Sequence, residues 1–183
     1  MTKPRKNLPG DRPVREDIQR MIRVNQAGEY GAVSIYKGQL AVLGKTEAGP
    51  ILEHMLEQEK EHLKQFSGIL VQRKVRPTVL SPLWSVLGYA LGAGTALMGK
   101  RAAMACTVAV EEVIDEHYAR QQAKLGGDQD PELEALITKC REEEIEHKAT
   151  GLAHGAEQAI GYPVLSATIK AGSRMAIWLS TRV

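Results

Sequence analysis

Apolar positions along most of the chain are set among long stretches of Ala, Leu, Glu, Lys and Gln with few β-branched runs, and aromatic residues make up 4% of the sequence. That pattern predicts helices nearly throughout and leaves little room for strands. A first helix is expected from about Val14 to Leu43, stopped by Gly44. Thr46 is a fair N-cap for a second, with Pro50 tolerable in its first turn, running to about Val75 and ending before Pro77. VRPTVLSP reads as a linker that restarts a helix near Ser81. A further helix ends near Leu125, closed by Gly126 and Gly127. Asp130 and Pro131 form an N-cap and N1 pair for a helix to about Ile160, and Gly161 and Pro163 interrupt before a last helix.

Residues 77 to 99 carry no charge. Two prolines near the start and Gly88, Gly92, Gly94 and Gly99 inside make the stretch a poor single membrane span. A helix lying in the membrane interface fits better, flanked by Arg73, Lys74, Arg76, Lys100 and Arg101 as headgroup anchors. The alternative is a core helix of a bundle, since small residues every few positions also suit close helix packing. The last helix sets Ile169, Ala176, Ile177 and Trp178 among Lys170, Arg174 and Arg182, an amphipathic basic pattern.

Composition narrows the class. A length of 183 residues predicts one domain over 14–183, preceded by a basic, Pro/Gly-broken arm over 1–13 that reads as flexible and not as a signal peptide. The formal charge of +2, with both signs interspersed, argues against nucleic acid as a partner. Cys106 and Cys140 lack CxxC spacing and read as buried thiols of a reduced compartment.

The chemistry lies in a charge excess. EEEIEHK, Glu142 to Lys148, places Glu142 and Glu146 at i and i+4, a mildly repulsive pair. Within it Glu144 and His147 stand at i and i+3 on one helix face, and Glu59 and His62 repeat that spacing. A lone ExxH says little. Two copies gain meaning when two other helices each add a carboxylate, because the four-helix di-metal carboxylate site takes one Glu from each of two helices and an ExxH from each of the others. Glu29 lies 30 residues before Glu59, and Glu111 lies 33 before Glu144. Each Glu is 14 residues before its helix break, at Leu43 or Leu125, and each ExxH Glu is 13 after the next start, at Thr46 or Pro131. At about 1.5 Å rise per residue, both hairpins return the ExxH to the level of the Glu. The expected fold is therefore all-α, a ferritin-like four-helix bundle with a di-metal carboxylate site and additional membrane-associating apolar and amphipathic helices.

Glu111 follows AAMACTVAV, too apolar for a solvated face, so its charge needs a partner. Ala27, Gly28, Gly31 and Ala32 around Glu29 allow helices to approach closely. Tyr36 and Tyr118 follow Glu29 and Glu111 by seven residues, on the same faces. Tyr36 reads first as core packing with a satisfied hydroxyl, while Tyr118 has His117 beside it. Four carboxylates and two imidazoles carry a formal −4 that two divalent cations cancel. Mixed oxygen and nitrogen ligation suits iron or manganese better than zinc, and redox work on oxygen favours iron. Glu143 is placed to orient an imidazole, that of His62, from outside the ligand set. Glu142 and Glu146 are expected in solvent, and His54 and His154 at the surface.

RVNQAGEYGA, YKGQLAVLG, QEKEHLKQF, VRPTVLSPLWSVLGYALGAGTALMGK, AMACTVAVEE and EEEIEH resemble the demethoxyubiquinone hydroxylase family, diiron enzymes of ubiquinone biosynthesis, over about Ile22 to Val183. The resemblance puts the iron ligands at Glu29, Glu59, His62, Glu111, Glu144 and His147, with Glu59 and Glu144 as natural bridges. It implies two Fe ions, O2 as co-substrate and a polyprenyl quinol, demethoxyubiquinol, as the molecule hydroxylated. His117 and Tyr118 match a His-Tyr pair near the site and are the catalytic candidates. With no flavin or nicotinamide fingerprint, the chain is expected to draw electrons from an external donor, NADH or a reductase, or through the quinol itself. A membrane surface and a lipid-presenting partner protein complete the expected partners. A peripheral location follows, on the cytoplasmic face of a bacterial inner membrane or, for a mature eukaryotic form, the matrix side of the mitochondrial one, since no mitochondrial presequence is recognised. The competing readings are a ferritin-like ferroxidase or storage subunit, a diiron hydroxylase acting on tRNA, and a membrane adaptor whose Glu/His pairs are polar packing.

Overall fold

The computed structural model describes residues 14–126 and 129–183, and all regular structure among them is helical. The basic arm expected over 1–13 and Gly127 lie outside the described residues. The helices are α1 (Val14–Leu43), α2 (Gly49–Gln72), α3 (Ser81–Leu97), α4 (Lys100–Leu125), α5 (Pro131–Ala153) and α6 (Tyr162–Ser180), with a 3-10 turn at Ala156–Gln158.

Helices α1 and α2 form one antiparallel hairpin, α4 and α5 a second, and the two meet through α1 against α4 and α2 against α5. Helix α3 then lies along α1, and α6 along α4. The chain thus runs twice through the same order: a long helix, its hairpin partner, and a helix folded back onto the first. One apolar cluster joins Leu43, Leu52 and Met55 to Ala102–Ala105 at the α1–α2 turn. A second joins Ile22, Phe66 and Ile69 to Leu125, Leu133 and Ile137 at the α4–α5 turn. The layer between them holds the polar groups described below.

Boundaries depart from expectation at three places, each for a local reason. Thr46 is not the N-cap of α2; that position is Ala48, whose N–H donates to Thr46 Oγ1 (3.2 Å) while the Thr46 hydroxyl donates to Leu43 O (2.7 Å). Helix α2 stops at Gln72, short of Val75, because Lys74 turns left-handed (φ 54°). The Lys74 and Val75 N–H groups then bond back to Val71 O (3.1 Å) and Leu70 O (2.9 Å), a Schellman closure with Lys where Gly is usual. Helix α5 ends at Ala153, not near Ile160, where Gly155 takes a left-handed φ of 84°. Its start is as expected, with Asp130 Oδ1 accepting from Leu133 N–H (3.2 Å). Arg73 at the end of α2 also bonds Asp130 and Glu132, tying the hairpins together.

The uncharged stretch is neither a span nor a core helix. None of the described helices is long and apolar enough to cross a membrane. One face of α3 is in backbone contact with α1: a Cβ on Gly92 would sit 2.0 Å from Ile35 O. The other face exposes Leu83, Val86, Leu87 and Tyr89, and Met175 and Trp178 of α6 are also exposed.

Candidate metal centre

Between the two apolar clusters, Glu29 from α1, Glu59 and His62 from α2, Glu111 from α4 and Glu144 and His147 from α5 converge, each at most 2% exposed. They form two overlapping groups, Glu29–Glu59–His62–Glu144 and Glu59–Glu111–Glu144–His147, whose ligand atoms lie within 4.8 Å of one another. Glu59 and Glu144 belong to both and stand between the two positions. His62 Nδ1 is 3.2 Å from Glu144 and 3.5 Å from Glu29. His147 Nδ1 is 3.1 Å from Glu144 and 3.2 Å from Glu59. Both imidazoles therefore aim Nδ1 inward and Nε2 outward.

The donor set fits metal ions. Both oxygens of Glu59 and Nδ1 of His62 are buried with no hydrogen-bond partner. Such orphans are costly in a packed interior unless a cation takes them up. Without one, burial, then the Glu144 carboxylate, holds the Glu59 and Glu111 carboxyls well above the usual carboxylate range. At Glu144 burial is opposed and outweighed by the His147 and His62 imidazoles beside it, which hold it down at about 2. Burial also works against charge on the imidazoles. The Cys140 thiol and the Glu144 and Glu29 carboxylates close to His62, and the Glu144 and Glu59 carboxylates close to His147, outweigh it and hold both above the ordinary histidine range, His147 at about 11. The cluster thus keeps protons where metal would sit, and metal binding must release them.

The tyrosines frame the outer carboxylates. Tyr36 donates to Glu111 Oε1 (3.0 Å), and Tyr118 donates to Glu29 Oε1. The core role expected of Tyr36 and a role at the site coincide: the ring is buried and its hydroxyl satisfied by a carboxylate. Outside the imidazoles, His62 Nε2 meets Glu143 Oε2 at 2.6 Å, the contact expected of Glu143.

The family model for the ubiquinone biosynthesis protein COQ7 matches residues 16–180. The chain belongs to the COQ7 family. Similar relatives include the 3-demethoxyubiquinol 3-hydroxylase of Rhodospirillum rubrum, 56% identical over 177 residues, covering 96% of this chain and 83% of the relative. The human NADPH-dependent 3-demethoxyubiquinone 3-hydroxylase, mitochondrial, is 57% identical over 173 residues, covering 92% of this chain and 79% of the relative. The 5-demethoxyubiquinone hydroxylase, mitochondrial, of Saccharomyces cerevisiae is 40% identical over 182 residues, 91% of this chain and 78% of the relative.

Not every candidate residue of this COQ7-family chain reaches the cluster. His117 faces away from it, bonding Gln121 Nε2 (2.7 Å), and burial, then Arg120 and Lys124, push its imidazole down to about 4. It lines a cleft of about 300 Å³ with Asp17, Arg20, Arg120, Lys124 and Arg182. Glu142, Glu146 and His54 are exposed, and His154 is half-buried with Nδ1 on Thr150 O (2.8 Å). Cys106 and Cys140 are free, buried thiols. Sequence reasoning missed Gln58, whose Oε1 meets His147 Nε2 at 3.0 Å. A signal existed: Gln58 precedes Glu59 as Glu143 precedes Glu144. It also missed Asn25, which exchanges two 2.8 Å bonds with Gln121 across α1 and α4. Finally, an apolar cavity of about 330 Å³ runs along α1, α3 and α6, lined by Gly28, Gly31, Leu87, Ile114, Ile169 and Ala176. Gly28 and Gly31 flank Glu29, and the side chains they lack leave room that the cavity occupies.

Proposed function

We propose that this chain, working as one domain over residues 14–183, is a diiron monooxygenase that hydroxylates the ring of demethoxyubiquinol with O2 in ubiquinone biosynthesis. The observation that carries this reading is the presence of two features on adjoining faces of α1: a buried six-residue ligand set with orphaned acceptors on the Glu29 face, and an apolar cavity on the neighbouring Gly28–Gly31 face. Glu29, Glu59, His62, Glu111, Glu144 and His147 hold two iron ions, with Glu59 and Glu144 shared. Bound there, the irons supply O2 activation that leaves one oxygen atom on the ring and the other in water. Tyr36 and Tyr118 fix the outer carboxylates, and Glu143 and Gln58 fix the imidazoles from behind. The cavity takes the quinol head and excludes water, with little polar lining to compete for it.

Helices α3 and α6 wall that cavity and carry exposed apolar side chains on their outer faces, so a polyprenyl tail can enter from a membrane surface on which both helices lie. We place the chain peripherally, at the cytoplasmic face of a bacterial inner membrane or the matrix side of a mitochondrial one, with a lipid-presenting partner helping extraction. Electrons come from a reduced nicotinamide. The human relative is named NADPH-dependent, and here Arg20, Arg120, Lys124 and Arg182 give the cleft beside His117 the cationic edge a phosphate-bearing donor needs. This gives His117 a role at the donor cleft and Tyr118 one at the ligand set. No observation favours a ferroxidase: such a protein has no use for the apolar cavity.

The test is anaerobic iron loading, then demethoxyubiquinol, a reduced nicotinamide and labelled O2, with mass spectrometry of the product. One labelled oxygen on the ring is expected. An unlabelled ring, with iron oxidised all the same, would favour the ferroxidase.

A further inference from the structure

The two halves of the centre repeat one another side chain by side chain. Met55, Gln58, Glu59 and His62 on α2 stand 85 residues before Cys140, Glu143, Glu144 and His147 on α5, and Glu29 and Tyr36 stand 82 before Glu111 and Tyr118. Contacts cross between the halves: each tyrosine bonds the other half's outer carboxylate, and each residue before a shared glutamate meets the other half's imidazole. The repeat breaks at two places. Cys140 stands in the place of Met55, both sulfur side chains but in different apolar clusters, and Glu143 stands in the place of Gln58. His62 Nε2 therefore meets a carboxylate at 2.6 Å, while His147 Nε2 meets an amide oxygen at 3.0 Å.

We infer that this exchange of Glu for Gln makes the two metal positions unequal, with Glu143 acting as a positioning residue that makes the His62 position the tighter one and leaves the His147 position to lose its ion first. The inference rests on the di-metal reading above. An imidazole whose outer N–H donates to a carboxylate is a more basic ligand than one donating to an amide, and such outer partners change metal affinity by about 10- to 100-fold. Each position has one outer glutamate, one tyrosine hydroxyl and the same two shared carboxylates. Cys140 beside His62, where the other half has Met55 against the Tyr36 hydroxyl, is the second difference, and an exchange at Glu143 leaves it untouched. Glu143 also has Lys139 3.9 Å away on its outer side.

The test follows iron leaving the anaerobically loaded chain under a ferrous chelator, with Mössbauer spectra of the starting samples. Wild type is expected to lose its two irons in two phases and to show two quadrupole doublets. Glu143→Gln should speed the slow phase by about 10-fold or more while leaving the fast one in place. Gln58→Glu should slow the fast phase. The double exchange, at unchanged net charge, should restore two phases and two separated doublets. A single phase in wild type, or equal acceleration of both phases in Glu143→Gln, would overturn the inference, since a loosened helix pair frees both ions alike. Two irons lost together sink the inequality alone. A wild-type chain that retains no iron sinks the di-metal reading as well.

Discussion

At the scale of single residues, Glu144 and Glu59 differ from the other four because each belongs to both ligand groups. Removing a shared carboxylate opens both positions, whereas removing one imidazole opens one. Glu144→Ala is expected to lose both metal ions and His147→Ala chiefly one, with helicity preserved in both. Metal analysis after dialysis, beside far-UV circular dichroism, checks this. Retention of both ions in Glu144→Ala would contradict the assignment. Glu144, Glu143 and His147 also explain why so many acids stand together in EEEIEHK. Glu144 and His147 face the layer, Glu143 reaches His62 from the side, and Glu142 and Glu146 remain in water. Equal charges in sequence occupy three different dielectric surroundings.

At the scale of elements, α3 is shaped by what lies against its glycines. A Cβ at Gly92 would meet Ile35 O at 2.0 Å and the Ile35 carbonyl carbon at 2.8 Å, backbone atoms with no room to yield. A Cβ at Gly94 would meet nothing within 4 Å. Gly92→Ala should therefore destabilise by about 1–3 kcal/mol through overpacking, in spite of the helix preference for Ala. Gly94→Ala should stabilise by up to about 1 kcal/mol, since only the helix preference changes. Urea unfolding of the two variants decides the matter, and equal effects would mean that α3 does not touch α1 as described.

At the scale of the whole molecule, the buried layer sets how stability answers to pH. Burial, then Glu144, raises the Glu59 and Glu111 carboxyls, and at His147 the adjacent Glu144 and Glu59 carboxylates overcome burial to raise the imidazole from 6.5 to about 11. Groups raised on folding contribute fully below their unfolded values and lose that contribution as pH rises through the folded ones. Glu144, held down at about 2, acts in the opposite sense only below its ordinary 4.5. Between about pH 6 and pH 9 the metal-free chain should lose stability as pH rises, while metal, which displaces the same protons, binds better. The gap in Tm between loaded and metal-free chain should widen over that range, and a gap that narrows would contradict this. A second expectation concerns α3 and α6, whose exposed Leu83, Val86, Met175 and Trp178 form the surface proposed above to meet lipid. The chain should float with anionic liposomes, and Leu83→Glu with Val86→Glu should keep it at the bottom of the gradient. Flotation unchanged in that variant would move the contact elsewhere.

The sequence by itself determined the helical class, most helix ends and the six ligand candidates, because these depend on local chemistry: propensity, Gly and Pro at breaks, and a spacing that two hairpins must return to one level. It also singled out Glu143, by adjacency to a ligand. Gln58 was legible only through its match in position to Glu143, since an amide next to a glutamate is ordinary until His147 of another helix lies against it. Lys74 was not legible as a helix stop, because its left-handed turn is held by bonds back to Leu70 and Val71 with Val75 buried behind it. Residues 77 to 99 offered two readings, and only the tertiary structure divided them between the faces of one helix, glycines against α1 and apolar side chains outward. His117, beside Tyr118 in sequence, was turned to a different cleft by the helix itself, since neighbours at i and i+1 point about 100° apart.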